Sequence, residues 1–202
     1  MKNHEVVYFE GLPRSGKTTL TGELAAENPH ILLKIDEYVH PALTIDGIWD
    51  DQRIFMENDE LKYLIARASG QQCLVDRGHL STLLYSHVYN QIKADRDLKF
   101  VDDWYFGKIL KNTMLPDRYV FLDVTPETSL ARRRVPLDTN NMWDHLEALK
   151  FARENYPRYM GTYESEIPVL TLSSSLMTIS ELKNKLVPFL GLKVRGTKNT
   201  SL

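Results

Sequence analysis

Residues Gly11-Leu12-Pro13-Arg14-Ser15-Gly16-Lys17-Thr18 hold the pattern G-x-x-x-x-G-K-T between two runs of different periodicity. Val6-Val7-Tyr8-Phe9 before it is apolar, β-branched and aromatic, which reads as a strand; Thr18 to Ala26 after it carries helical spacing. A chain that passes from strand to helix through two glycines curls so that successive N–H groups point into an anion-sized hollow. The helix that follows adds the positive end of its dipole there. Gly11, Leu12, Pro13, Arg14, Ser15, Gly16, Lys17, Thr18 and Thr19 are therefore the expected cradle of a nucleoside triphosphate. Lys17 is expected to reach the β- and γ-phosphates, and the Thr18 hydroxyl to ligate Mg²⁺. The alternative is a glycine turn with an incidental lysine, and the flanking strand and helix argue against it.

The rest of the chain bounds what this cradle serves. At 202 residues it suits one α/β domain with a full core, and 43% apolar with 26% charged residues is ordinary for a globular protein. A net charge of −2 argues against a dedicated nucleic-acid surface. A single cysteine, Cys73, excludes a disulfide framework within one chain and fits a reducing cytoplasm. The strand and loop begin within about ten residues of the N-terminus, so no signal peptide is expected, and no apolar run approaches the roughly 18 residues that span a bilayer. A soluble cytoplasmic protein is expected, with a homodimer left open.

Strand-like and helix-like segments alternate. After the first pair come a strand at His30–Ile35, a helix from Asp50 to Ser69 closed by Gly70, and a strand at Gln72–Asp76. Leu80–Ile92 and Trp104–Lys111 read as helices, and Tyr119–Val124 as the clearest strand. Thr125-Pro126-Glu127 opens a helix through Arg134; Asp144 to Tyr156 is another, limited by Pro157. A fifth strand at Pro168–Leu172, a helix at Thr178–Leu190 and a loose tail at 191–202 complete the chain. The expected single domain thus covers 1–190. In the long helix, Ile54, Leu61, Leu64 and Ile65 are spaced for one buried face. Such alternation implies a parallel sheet covered on both faces, with ligands gathered at the carboxyl ends of the strands. Glu10, Asp36, Glu37, Asp76, Arg77 and Asp123 fall at those ends.

Several of these residues suit phosphoryl transfer. A carboxylate facing the γ-phosphate could accept the proton of an attacking hydroxyl, and Asp36 and Glu37 both qualify, the pattern not ranking them. The same apolar-strand-then-acid pattern occurs in motor ATPases, but too little chain separates Lys17 from Ile35 for that architecture. Asp76 is the better Mg²⁺ carboxylate, and Arg77 offers a planar fork to acceptor or phosphate. Arg132-Arg133-Arg134 precedes a polar segment, so 132–143 is the expected lid, with Arg132 and Arg134 closing over the phosphates. Arg14 sits where it can meet the transferring group in cis. Tyr38, Tyr85, Tyr89, Trp104 and Tyr105 are candidates for a base-stacking pocket, and His79 is the one histidine expected near the site.

With these residues in view, the chain resembles the P-loop nucleotide kinases, most of all the thymidylate kinase and deoxynucleoside kinase group. Its G-L-P-R-S-G-K-T-T is similar to the G-L-D-R-x-G-K-T/S loop of some thymidylate kinases, internal arginine included. Asp76-Arg77, Ser81 and Tyr85 match D-R-x-x-x-S-x-x-x-Y, and Pro116 to Glu127 resembles P-D-x-x-x-x-L-D-V-x-P-E. The matches run in order from 5 to 135. The resemblance implies a three-layer α/β/α sandwich around a five-stranded parallel sheet of order 2-3-1-4-5 with a small lid. It implies an ATP- and Mg²⁺-dependent phosphotransferase. Two departures bear on the acceptor: Pro13 replaces an acidic loop residue, and Ile35-Asp36-Glu37-Tyr38 stands where an arginine would hold an acceptor's phosphate. They favour a neutral hydroxyl acceptor such as a nucleoside over a nucleoside monophosphate. An ATPase or switch acting on a protein partner is the remaining alternative.

Overall fold

Strand β1 (Val6–Glu10) lies at the centre of a five-stranded, all-parallel sheet of order β2-β3-β1-β4-β5, with β2 Leu32–Ile35, β3 Gln72–Asp76, β4 Arg118–Asp123 and β5 Val169–Ser173. The computed structural model describes residues 4–47, 51–93, 97–138 and 141–192. Every residue of β1 is buried, because helices cover both faces of a parallel sheet. Val7 and Phe9 point to the face packed by Leu20 and Leu24 of α1 (Lys17–Glu27) and Leu182 and Leu186 of α8 (Ile179–Phe189). Val6 and Tyr8 point to the other, larger core, built with α3 (Gln52–Ala68), α4 (His79–Lys93), α5 (Leu98–Trp104) and α7 (Leu146–Thr162). Cys73 is buried in that second core. The short α2 (Pro41–Thr44) and α6 (Pro126–Ala131) lie in the connections after β2 and β4.

Four elements depart from the sequence pattern. Leu64 and Ile65 of α3 are 60% and 37% exposed, and the face turned inward carries Met56, Asn58, Asp59, Lys62 and Ala66. The apolar stripe is therefore not the buried one: this helix turns a polar stripe toward a cavity. The segment expected as a helix at 104–111 is the end of α5, capped at Asp97, which accepts from the Phe100 N–H, followed by a π-helical turn at Tyr105–Ile109. The wider turn brings Tyr105 and Ile109 into the core together. Helix α6 stops at Ala131, so Arg132 is its C-cap rather than a residue of its last turn.

Pro157 does not end α7. The helix runs on to Thr162 because Tyr156 before the proline and Met160 after it are both buried, and their packing outweighs the roughly 3 kcal/mol that a mid-helix proline costs. Among the described residues no helix is long and apolar enough to cross a membrane. Thr139 and Asn140 of the expected lid, residues 193–202 of the expected tail and Asp50 at the expected start of the long helix lie outside the described residues.

Candidate active site

The carboxyl ends of β1, β2 and β3 converge on the loop between β1 and α1. Gly11 has φ 137°, and a Cβ there would meet the Leu122 carbonyl oxygen at 2.5 Å, so only glycine lets the loop leave β1 this close to β4. Gly16, at φ 98°, is the N-cap of α1, and no side chain caps it. The first-turn N–H groups of α1 are thus left for an anion. Lys17 is buried, and its ammonium donates to the Gly11 and Leu12 carbonyls at 2.9 and 2.8 Å and to Ser15 Oγ at 3.1 Å. Burial, and then repulsion from Arg77, push its pKa down to about 7. Its hydrogen bonds go to neutral oxygens, and the nearby carboxylates of Asp76, Glu37 and Glu10 only partly offset the depression.

Thr18 and Asp76 meet behind the loop, the hydroxyl donating to Asp76 Oδ2 at 2.5 Å. The other Asp76 oxygen is buried with no hydrogen-bond partner. Two oxygens of this kind, one orphaned, fit a hard divalent cation such as Mg²⁺.

The structure separates Asp36 from Glu37. Asp36 is 70% exposed and pairs with Lys34 at 2.5 Å. Glu37 turns inward to a cavity of about 630 Å³ and pairs with Arg77, whose Nε lies 2.8 Å from Oε1. Burial alone would push the Glu37 carboxyl up; Arg77 and then Lys17 outweigh it and hold it below the usual carboxylate range. Arg77 has φ 63° and also donates to the Gly11 carbonyl and Ser81 Oγ, each at 3.4 Å. Glu10, at the end of β1, accepts from the Gly78 N–H at 2.8 Å and from Ser81 Oγ at 2.5 Å, and burial raises its carboxyl to about 7. Gly78 has no room for a side chain: a Cβ would lie 2.1 Å from the Tyr8 ring.

Sequence reasoning missed the cavity floor. Asn58 of α3 donates to the Glu37 carbonyl at 2.9 Å and accepts from the Val39 and His40 N–H groups at 2.8 and 3.0 Å, pinning the loop that carries Glu37. Asp59 and Lys62 form a buried ion pair at 2.6 Å; Thr82 donates to Asp59 at 2.5 Å, and Lys62 donates to the Arg77 carbonyl at 3.0 Å. Their one-and-four spacing on α3 was the available signal. Tyr38, Phe55, Tyr85, Tyr89 and Trp143 wall the cavity, with Tyr85 and Tyr89 stacked at 5.9 Å. Trp104 and Tyr105 do not. Trp104 donates to Glu60, and Tyr105 donates to buried Glu164 at 2.6 Å. His79 is buried beside the same carboxylate, 3.0 Å away, rather than in the cavity.

The arginines divide in the same way. Arg14, at φ 63°, donates to the Trp143 carbonyl at 2.5 Å and to Asp144 at 3.2 Å. Arg132 donates to the Arg14 carbonyl at 3.2 Å and to the Ser174 carbonyl at 2.5 Å, tying the β5–α8 connection to the loop. Arg133 is largely buried and pairs with Asp144, whereas Arg134 is exposed.

No protein-family model and no curated protein matches this chain. Among solved structures it is similar to deoxyadenosine kinase from M. mycoides. With bound dATP the TM-score is 0.68 at 15% identity, over 92% of this chain and 99% of that one. With bound dCTP it is 0.62 at 16% identity, over 91% and 99%. Thymidylate kinase from Candida albicans gives a TM-score of 0.68 at 15% identity, over 94% and 92%. Likeness at this identity extends to the fold. The chain has the P-loop kinase fold, with the strand order and flanking helices expected of it.

Proposed function

We propose that this chain is a phosphotransferase that moves the terminal phosphoryl group of ATP to a hydroxyl of a small planar acceptor, a nucleoside before others. The observation that carries this reading is Glu37. It is an ionised carboxylate oriented by Arg77, at the mouth of an aromatic-walled cavity that opens beside the cradle. The acceptor hydroxyl gives its proton to Glu37 as its oxygen bonds to the γ-phosphorus, and the bond from that phosphorus to the bridging oxygen breaks, releasing ADP. Lys17, the backbone N–H groups from Arg14 to Thr19, Arg14 and Arg77 stabilise the moving charge, with Arg134 added from the lid. Arg132 acts by holding the nucleotide side of the loop, since its fork is spent on backbone carbonyls. Thr18 and Asp76 are the residues that would hold Mg²⁺, which when bound neutralises the phosphates and fixes their orientation.

Two features support a nucleoside over a nucleoside monophosphate. The buried cations bordering the cavity are already paired, Arg77 with Glu37 and Lys62 with Asp59, so a phosphorylated acceptor would have to break an ion pair to bind. The walls are aromatic, as a stacked base requires. A panel of nucleosides, nucleoside monophosphates and hydroxylated antibiotics, offered with γ-labelled ATP and Mg²⁺, tests the reading. Label is expected on a nucleoside. Label found only in free phosphate identifies an ATPase instead.

A further inference from the structure

Asp144 lies at the end of a 3₁₀ turn, Met142–Asp144, and its side chain is 2% exposed. Three other stretches of chain meet on it. Arg14 of the phosphate loop donates to Oδ1 at 3.2 Å, Arg133 at the foot of the lid pairs with Oδ2, and the Asp138 N–H within the lid donates to Oδ2 at 3.1 Å. The second arm of Arg14 donates to the carbonyl of Trp143, and the Trp143 ring walls the acceptor cavity 6.1 Å from the ring of Tyr85. One guanidinium thus holds both the buried carboxylate and the backbone of a residue in the cavity wall.

Among the described ion pairs at Asp144 the charges do not balance. Two guanidinium groups share one carboxylate, and Arg14 Nε is buried with no hydrogen-bond partner. A polyphosphate in the adjacent cradle is the anion such a pair lacks, and planar forks match phosphate oxygens as well as they match a carboxylate. Phosphate and Asp144 therefore compete for the same donors. When Arg14 turns to phosphate it leaves the Trp143 carbonyl, and the turn carrying Trp143 is released to settle against the acceptor.

We infer that Asp144 is a positioning residue that couples the phosphate cradle to the acceptor cavity: it parks Arg14 while the cradle is empty, and the transfer of Arg14 to phosphate moves Trp143. This rests on the proposed reading of the cradle as a polyphosphate site. By reciprocity, an acceptor that draws Trp143 inward strengthens phosphate binding to the same degree.

The test uses the full chain labelled with fluorotryptophan, the Trp143 resonance being assigned with Trp143→Phe. Inorganic tripolyphosphate with Mg²⁺ is titrated in, and binding is followed in parallel by calorimetry. The Trp143 fluorine resonance is expected to shift with the midpoint that calorimetry gives. Asp144→Asn, which removes the competing charge, is expected to bind tripolyphosphate about tenfold more tightly, within the usual range of coupling between sites. A resonance that stays fixed while calorimetry records binding overturns the proposal, as does unchanged or weaker binding by Asp144→Asn. If that variant does not fold, the unmodified chain decides by its resonance alone. Absence of any binding in calorimetry overturns the cradle assignment itself, and with it this coupling.

Discussion

Asp36 and Glu37 are adjacent and chemically alike, yet the end of β2 turns their side chains to opposite sides. Asp36 ends in solvent beside Lys34, where water screens the pair and the interaction is worth little. Glu37 ends beside Arg77 and Lys17 within a buried site, ionised and aimed at the cavity. Under the proposed function the two respond differently to loss of charge. Glu37→Gln keeps the shape and removes the proton acceptor, so turnover is expected to fall by about 10² to 10⁴, the usual contribution of a general base, with ATP affinity retained. Asp36→Asn is expected to leave turnover within about twofold, because it touches neither the cavity nor the cradle, as a surface change should. Steady-state rates of both variants check this, and equal losses refute the assignment. The pair also marks a limit of sequence reading: both carboxylates were visible at a strand end, but which faces inward depends on Asn58, twenty-one residues away, gripping the carbonyl of Glu37.

The same dependence on distant partners appears between elements. His79 at the start of α4, Tyr119 of β4, Tyr105 after α5 and Glu164 after α7 close one buried network, with Glu164 accepting from Tyr105 at 2.6 Å and Tyr119 at 2.5 Å. Burial alone would lower the His79 pKa; Glu164 reverses that and raises it, while His79 and the two hydroxyls bring Glu164 below its ordinary value. The signs define a window. The contribution of His79 is complete below its unfolded pKa of about 6.5 and fades as pH climbs through the raised folded value. That of Glu164 is complete above about 4.5 and is lost as pH falls through its lowered folded value. Stability from the network is therefore greatest between those limits. Glu164→Gln strands an imidazolium in the core and is expected to cost about 3–5 kcal/mol near pH 6, as broken buried pairs do, a deficit that shrinks at alkaline pH. Denaturant melts across that range measure it, and a loss that does not vary with pH contradicts the ion-pair account. None of this was legible locally, since a histidine, two tyrosines and a glutamate without common spacing carry no pattern. Helix α3 was misread for a related reason: a stripe of Asn58, Asp59 and Lys62 reads as solvent-facing unless the cavity it lines is known.

At the scale of the molecule, the sheet and the strand–loop–helix turn after β1 were readable because their causes are local. Strands of β-branched and aromatic residues, two glycines at positive φ and a following helix leave one arrangement, and Tyr8 lies in register with Val75 and Tyr119 as that arrangement requires. The consequence is global as well. A ligand seated where β1, β3 and α1 meet touches the centre of the sheet, so its binding must stabilise the whole domain. At a hundred times its Kd, a ligand adds about 2.7 kcal/mol, which for a domain of this size raises Tm by roughly 5–11 °C. MgATP is expected to do so, and Lys17→Ala to abolish the effect, because it removes a buried ammonium bonded to the cradle's own carbonyls. The depressed pKa gives the prediction a sign in pH. Free Lys17 gives up its proton near pH 7, whereas phosphate oxygens hold the proton on it, so binding above pH 7 must take up a proton. Affinity should then be flat below that value and weaken by up to about tenfold per unit above it, one proton being linked to each binding event. Thermal shifts with MgATP at pH 6.5 and 8.5 distinguish the cases. A shift that persists in Lys17→Ala places the nucleotide elsewhere on the protein. A shift in the unmodified chain that is the same at both pH values means that Lys17 already carries its charge in the empty cradle, contrary to the burial and the Arg77 repulsion that depress its pKa.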